Sequence, residues 1–327
     1  MISVILAGGQ GVRLWPESTS ERPKQLCDFM GQGSLLVMTL RRLQPLGRVM
    51  VVCGEGQSSA IREELSGIDC GIITEPMGRN TAPAIGLVLA HEKNDGEEVL
   101  GFFPADHYIQ DTETFHEVLH LAENLAREGY LVTIGITPAY AETGYGYIER
   151  TSDADSYLVK AFHEKPDMET AAEYIKSGNH FWNAGIFIAS VNTWRYLMQE
   201  HLPVLFDNIQ KGREAYLEGY PGYPNISIDY GIAEKCQRMA VVGGDFGWSD
   251  IGSWDSLAAA LDQDENGNVL LGNSKAVDTR NCLARSSAKN VVLFGVENLV
   301  VVETEDTIMV CPRERSQDIK LLVESLK

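Results

Sequence analysis

Three glycines and two cations mark the first stretch of this sequence that can do chemistry. The apolar run Ser3-Val4-Ile5-Leu6-Ala7 stops at Gly8-Gly9-Gln10-Gly11-Val12-Arg13-Leu14, and Pro23-Lys24-Gln25 follows shortly after. A short apolar run bounded by turn residues reads as a buried strand. Gly8, Gly9 and Gly11 carry no Cβ and accept φ > 0, so backbone N–H groups there can close around an anion. Arg13 and Lys24 add full positive charges. The segment is expected to hold the phosphates of a nucleotide, a plain turn being the other reading. It is not a dinucleotide fingerprint, because Arg13-Leu14 stands where a third glycine is needed, and it lacks the Gly-Lys-Ser/Thr ending of a Walker loop. Oxidoreduction with NAD is disfavoured on that ground. Pro16 and Pro23 oppose a long helix directly after the loop.

Charge narrows the chemistry further. The chain has 327 residues, with 27 Lys and Arg against 46 Asp and Glu, a formal net charge of −19. That balance excludes nucleic-acid binding by general electrostatics. It also means that an anionic substrate needs local cations and a divalent metal. Cysteines 27, 53, 70, 236, 282 and 311 are scattered without a paired spacing and are expected to be small core residues, not a zinc site or disulfide framework. No apolar run reaches the ~18–20 residues that cross a bilayer. The chain starts directly in a strand without a signal peptide, so the cytoplasm is the expected compartment.

The elements that must position these groups alternate between strand and helix. Strands are expected at Val49–Cys53, Cys70–Thr74, Val99–Phe103 and Leu131–Ile136, with helices between them and a Thr114/Glu117 capping box before the stripe Phe115, Val118, Leu119, Ala122. This pattern predicts an α/β fold with a mostly parallel sheet, whose ligand crevice lies beyond the carboxyl ends of the strands. The glycine loop, Glu75 and Asp106 each follow a strand. Helices are expected near 170–177, 191–201 and 204–218. The acidic stretch Asp262–Asn268 reads as a linker. It divides a region 1–260 from a β-rich segment, 261–327, of short strands such as 269–271, 276–277, 283–284 and 291–296, ending in a helix.

Taken as a set, the motifs resemble one family. Leu6-Ala-Gly-Gly-Gln-Gly-Val-Arg-Leu-Trp-Pro16 with Pro23-Lys-Gln25 is similar to the signature of nucleoside-diphosphate-sugar pyrophosphorylases, in the form of their mannose-1-phosphate guanylyltransferase branch. Glu75-Pro with Arg79-Asn-Thr-Ala-Pro-Ala84, Pro104-Ala-Asp-His107, Phe162-His-Glu-Lys-Pro166, Trp182-Asn-Ala-Gly-Ile-Phe187, Ser227-Ile-Asp-Tyr-Gly-Ile-Ala-Glu-Lys235 and Trp248-Ser-Asp-Ile-Gly252 follow in the same order. The resemblance implies a Rossmann-like nucleotidyltransferase domain with a small C-terminal β-helix segment. It implies the reaction of GTP with mannose 1-phosphate to GDP-mannose and pyrophosphate, with Mg²⁺, and a homodimer formed through the C-terminal segment. Relatives with an added cupin domain are also isomerases, an activity not expected for a chain of this length.

The resemblance also assigns roles. Leu6, Ala7, Gly8, Gly9 and Gly11 would line the nucleotide, Arg13 would neutralise the leaving pyrophosphate and Lys24 would lie by the α-phosphate. Asp106 and Asp250 would hold the metal, with Asp245 a nearby competitor for the second place. Mg²⁺ is commonly held by one or two carboxylates plus substrate phosphates and water. Glu75 and Asn80 fall where the family reads the base. Guanine shows two donors beside one acceptor, which a carboxylate and an amide NH₂ match. Gly146, Glu164, Lys165 and Asn183 would take the sugar phosphate. Another sugar 1-phosphate, another nucleotide, or a non-catalytic nucleotide-binding regulator are the rival readings. The joint presence of Arg13, Lys24, Asp106 and Asp250 speaks against the last.

Overall fold

The computed structural model describes residues 1–9, 11, 13–91, 96–151 and 157–326. Gln10 and Val12 of the glycine loop therefore lie outside the described residues. Among the described residues the strands run β1 (Ile2–Leu6), β2 (Val49–Gly54), β3 (Gly71–Glu75), β4 (Val99–Pro104), β5 (Tyr108–Ile109), β6 (Leu131–Ile136), β7 (Tyr147–Arg150) and β8 (Val159–His163). They continue with β9 (His180–Ser190), β10 (Met239–Gly244), β11 (Trp248–Ser249), β12 (Val269–Val277), β13 (Leu283–Phe294), β14 (Leu299–Glu303) and β15 (Ile308–Pro312). The expected α/β fold and β-rich C-terminal segment are both present. The chain forms two compact units, each assembled from separate stretches.

The first unit comprises Met1–Gly8, Leu40–Pro104 and Asp111–Phe246. Its sheet has the order β10-β6-β9-β4-β1-β2-β3, with β7 paired to β9 and β8 to β7. Strands β1 to β4 are mutually parallel where they pair, as are β6 and β10, while β9 runs antiparallel between β4 and β6. Parallel strands are covered on both faces and so read as continuous apolar runs, as Val49–Cys53 and Leu131–Ile136 do. Because β1 and β3 point the same way, Gly8 and Glu75 end on one edge of the sheet.

Two local expectations need correction. The helix Thr112–Arg127 is capped by Asp111, not by a Thr114/Glu117 box: the Asp111 carboxylate accepts from the Thr114 backbone N–H at 3.0 Å and from its hydroxyl at 2.6 Å. A short carboxylate at the N-cap meets the orphan N–H groups directly. The single helix expected over 204–218 is two, Pro203–Lys211 and Arg213–Gly219. Gly212 separates them at φ +92°, which no helix accommodates.

The second unit comprises Gly9–Thr39, Ala105–Gln110 and Gly247–Lys327. Strands β12, β13 and β14 stack in parallel and β15 closes the sheet antiparallel. The separate short strands expected at 269–271 and 276–277 are one, as are those at 283–284 and 291–296, because pairing resumes after a register shift at Gly272/Ser274. The segment after the glycine loop is fastened to these strands and to the helix Trp254–Ala260. The Trp254 indole N–H donates to the Trp15 carbonyl at 3.0 Å and its ring meets Phe29 edge-on at 5.7 Å. Arg285 binds the Glu17 carboxylate at 2.7 Å and the Asp28 carbonyl at 2.9 Å.

Glu303 gathers the backbone of β13 where its pairing with β12 shifts register. Its fully buried carboxylate accepts from the Ala288 N–H at 3.0 Å, the Ser287 N–H at 3.0 Å, the Lys289 N–H at 3.2 Å and the Ser286 hydroxyl at 2.9 Å. Those donors, the Ala288 N–H foremost, pull its pKa down to about 2. A depressed carboxylate pKa contributes stability that is complete above the unfolded value, ~4.3, and is lost as pH falls toward the folded one. Acid titration of thermal stability should therefore show a decline between about pH 4 and pH 2, which Glu303→Gln flattens while lowering the melting midpoint at pH 7 by several degrees. Calorimetry of both proteins across that range checks it.

Candidate functional site

The chemistry-bearing groups of the second unit meet at Lys24. Pro23, at φ −66°, leads into a short 3₁₀ turn, Lys24–Leu26, that turns the Lys24 side chain inward. Its ammonium binds the Asp106 carboxylate at 2.8 Å and also donates to the Asp250 backbone carbonyl. The antiparallel pair β5/β11 aligns Tyr108 with Ser249, so the short segments that carry Asp106 and Asp250 both lead directly into or out of this ladder. The Trp248 indole fastens this junction, donating to His107 Nδ1 at 3.1 Å. Burial by itself would raise the Asp106 pKa, but the charge of Lys24, with His107, overrides it and holds the carboxyl below the ordinary range. Asp250 is oriented by the Gly252 N–H, which donates to its Oδ1 at 3.1 Å. Asp245, the alternative, belongs to the first unit and not to this one.

The glycine loop approaches Lys24 at Gly11. A Cβ at Gly11 would stand 2.8 Å from the Lys24 Cβ, and its φ is +39°, so a side chain is refused on both counts. Gln25 donates to the Gly9 carbonyl at 3.4 Å. Arg13 is exposed and, among the described residues, makes no hydrogen bond or ion pair. The Ala7 N–H donates to the Val52 carbonyl at 2.8 Å, extending the sheet by one residue toward the glycine loop. Leu6 is likewise a sheet residue, paired with Val52 and Pro104.

In the first unit Glu75 ends β3 with 7% exposure. Burial raises its pKa, and the hydrogen bond from Tyr220 works against that rise. The Tyr220 hydroxyl donates to Oε2 at 2.6 Å, while Oε1 lies 3.5 Å from the Cβ position of Gly8. One oxygen is thus engaged and the other faces the end of β1. Asn80 takes φ +68°, and its Oδ1 accepts from the Thr81 N–H at 3.0 Å. That contact engages the amide oxygen of an otherwise exposed side chain. Arg79 donates to the Pro221 carbonyl, tying the segment that carries Asn80 to the turn after Tyr220.

The groups expected to handle the sugar form one cluster of that unit. Lys165 binds Glu164 at 2.9 Å, a contact that raises the Lys165 pKa. A Cβ at Gly146 would lie 2.6 Å from Glu164 Oε2, so only glycine leaves room for the carboxylate. The Asn183 N–H donates to the Gly146 carbonyl at 2.8 Å. The Asn183 side chain is heavily committed: its Oδ1 accepts from Thr133 and from the Gly185 N–H, and its Nδ2 donates to Asp229 at 2.9 Å. Asp229 itself was not singled out by spacing, although it lies in the Ser227–Lys235 motif. Burial, reinforced by the neighbouring Glu164 charge, pushes its pKa up to about 6. Tyr220 carries no sequence signal at all, since it reaches Glu75 across 145 positions of chain.

Comparison with known proteins agrees with this geometry. Residues 2–267 match the nucleotidyl transferase family, and residues 272–326 match the MannoseP isomerase/GMP-like β-helix domain. A mannose-1-phosphate guanylyltransferase of Klebsiella pneumoniae and one of Escherichia coli are each 40% identical, over all of this chain and 74% of their own length. The crystal structure of a mannose-1-phosphate geranyltransferase from Thermus thermophilus superposes with a TM-score of 0.90 at 36% identity, covering 99% of this chain and 98% of that one. With a lysine clamped between two aspartate positions, a family model matched over most of the chain and relatives 40% identical along all of it, the chain belongs to the nucleotidyl transferase family.

Proposed function

We propose that this protein transfers GMP from GTP to mannose 1-phosphate, yielding GDP-mannose and pyrophosphate. The observation that carries the reading is the Lys24 ammonium held against both Asp106 and the Asp250 segment, in a chain 40% identical to mannose-1-phosphate guanylyltransferases. Transfer of this kind needs positioning and charge neutralisation, not a protein nucleophile. A phosphate oxygen of the sugar phosphate attacks the α-phosphorus of GTP in line. The bond from that phosphorus to the bridging oxygen breaks, and pyrophosphate leaves with the electron pair. Lys24 neutralises charge at the α-phosphate and Arg13 at the departing pyrophosphate, with Gly8, Gly9 and Gly11 giving backbone room.

The Asp106 and Asp250 carboxylates supply the hard oxygen donors that a divalent cation such as Mg²⁺ takes, the remaining places going to substrate phosphates and water. When bound, the cation supplies further neutralisation of the phosphate oxygens. Glu75 accepts from guanine N1–H and N2–H₂ while Asn80 donates its NH₂ to O6, an assignment supported by the engaged Asn80 Oδ1. Glu164, Lys165 and Asn183 serve the sugar phosphate, with the heavily bonded Asn183 holding Asp229 in place. Supporting a homodimer through the C-terminal segment, Phe294, Ile308 and Val310 expose 71%, 60% and 59% of their surface. The cytoplasm is the place of action in this reading, in keeping with a reaction that consumes GTP. No helix among the described residues is long and apolar enough to cross a membrane.

A pyrophosphate-release assay with GTP, mannose 1-phosphate and Mg²⁺, run beside a panel of other sugar 1-phosphates and nucleotides, tests the proposal. Turnover confined to other substrates would overturn it. Asp106→Asn and Asp250→Asn should each cut kcat by ~10²–10³-fold, about 3–4 kcal/mol of transition-state stabilisation, with circular dichroism unchanged. Glu75→Gln should lower the preference for GTP over ATP by ~10-fold or more, the scale of one lost base-reading pair, read as a ratio of kcat/KM values. Sedimentation equilibrium should give twice the 36.1 kDa chain mass, and Phe294→Glu should shift the protein toward monomer.

A further inference from the structure

One cluster of the first unit takes no part in the proposed reaction. Glu149 of β7 pairs in register with His180 of β9, and His163 ends the neighbouring strand β8 opposite Tyr147. A ligand atom from each of Glu149, His163 and His180 lies within 4.8 Å of the other two. The cluster is on the opposite face of the hairpin from the sugar-phosphate groups: Gly146 faces Phe162 and Glu164, whereas Tyr147 and His163 pack on Tyr174 of the helix Met168–Ser177.

The second observation is a buried lone pair. The Ser177 hydroxyl donates to the Tyr174 carbonyl at 2.7 Å, so its single hydrogen is spent. The 2.8 Å contact between Ser177 Oγ and His180 Nδ1 must then be donated by the ring, which places the proton on Nδ1. His180 Nε2 is left as an acceptor, and it is buried without any hydrogen-bond partner among the described residues. Tyr174 stacks on the same ring at 4.1 Å and fixes its plane. An imidazole whose Nδ1–H is anchored and whose Nε2 lone pair is bare is the arrangement that metal-binding histidines adopt.

We infer that Glu149, His163 and His180 form a site for a borderline divalent transition cation of the Zn²⁺ class. Two imidazoles and one carboxylate give a three-ligand set whose fourth place is left to water. Nitrogen donors select Zn²⁺, Co²⁺, Ni²⁺ or Cu²⁺ over Mg²⁺, the reverse of the all-oxygen pair Asp106 and Asp250. Glu149 already attracts a cation, the Lys160 ammonium at 2.7 Å, but that lysine side chain is 64% exposed. An exposed ion pair of this kind yields readily. A small contraction of the three side chains brings the donors to the ~2.0–2.2 Å from the metal that nitrogen and carboxylate ligands take.

Titration of the metal-free full chain with Co²⁺ tests the site. The expected result is one equivalent bound with the visible absorption of a nitrogen-and-oxygen-ligated ion, displaced by Zn²⁺ and not by excess Mg²⁺. His163→Gln, His180→Gln and the gentler Glu149→Gln should each weaken Co²⁺ binding by ~10-fold or more, with circular dichroism reporting an intact fold. Absence of Co²⁺ absorption in the unmodified chain would overturn the inference. So would undiminished affinity in the folded variants, since the ion would then be held elsewhere, for example by cysteine thiols.

Discussion

The Lys24 ammonium is a buried charge that must be answered by fixed partners. It retains only 7% exposure, and an unpaired charge so placed would cost several kcal/mol, by the order of effective desolvation penalties. Asp106 and the Asp250 carbonyl answer it from two loops far apart in the chain. The β5/β11 ladder holds those loops in register, and the absence of a side chain at Gly11 lets the glycine loop come close. The same contact that stabilises the unit thus sets a cation between two carboxylate-bearing segments.

That arrangement resolves the difficulty posed by overall charge. A chain with a net charge of −19 repels polyphosphates at a distance. Its useful cations are therefore placed individually: Lys24 is buried and oriented, while Arg13 stands in solvent. The buried carboxylates of the first unit follow another rule. Glu75, Glu164 and Asp229 are desolvated carboxylates steadied by one or two specific donors.

Much of this was legible in one dimension because the relevant signals are local. The apolar runs of β1 to β4 and the residues that stop them are contiguous, so their strands and the positions of Gly8, Glu75 and Asp106 could be named from the chain alone. Where expectations failed, a competing local interaction won. Asp111 offered the helix a better cap than Thr114, and Gly212 interrupted a stripe whose periodicity continued through it. The division of β12 and β13 into shorter pieces failed because inter-strand pairing resumed beyond a bulge. Tyr220 and Asp229 were missed for a different reason, since their roles exist only through partners distant in sequence.

The sequence by itself determined the kind of chemistry: a glycine loop, cations and carboxylates in one order, and an α/β alternation to carry them. Tertiary structure decided which of these groups share an environment. It gathered residues 9–39, 105–110 and 247–327 into one compact unit, so that Lys24, Asp106 and the Asp250 loop touch. It also committed the Ala7 N–H to the sheet, the Asn80 oxygen to a helix start and the Asn183 amide to Asp229. The physical reason is that residue type sets what a group can donate, accept or neutralise. Whether that capacity is spent internally or left for a substrate depends on which distant atoms the fold brings within hydrogen-bonding reach.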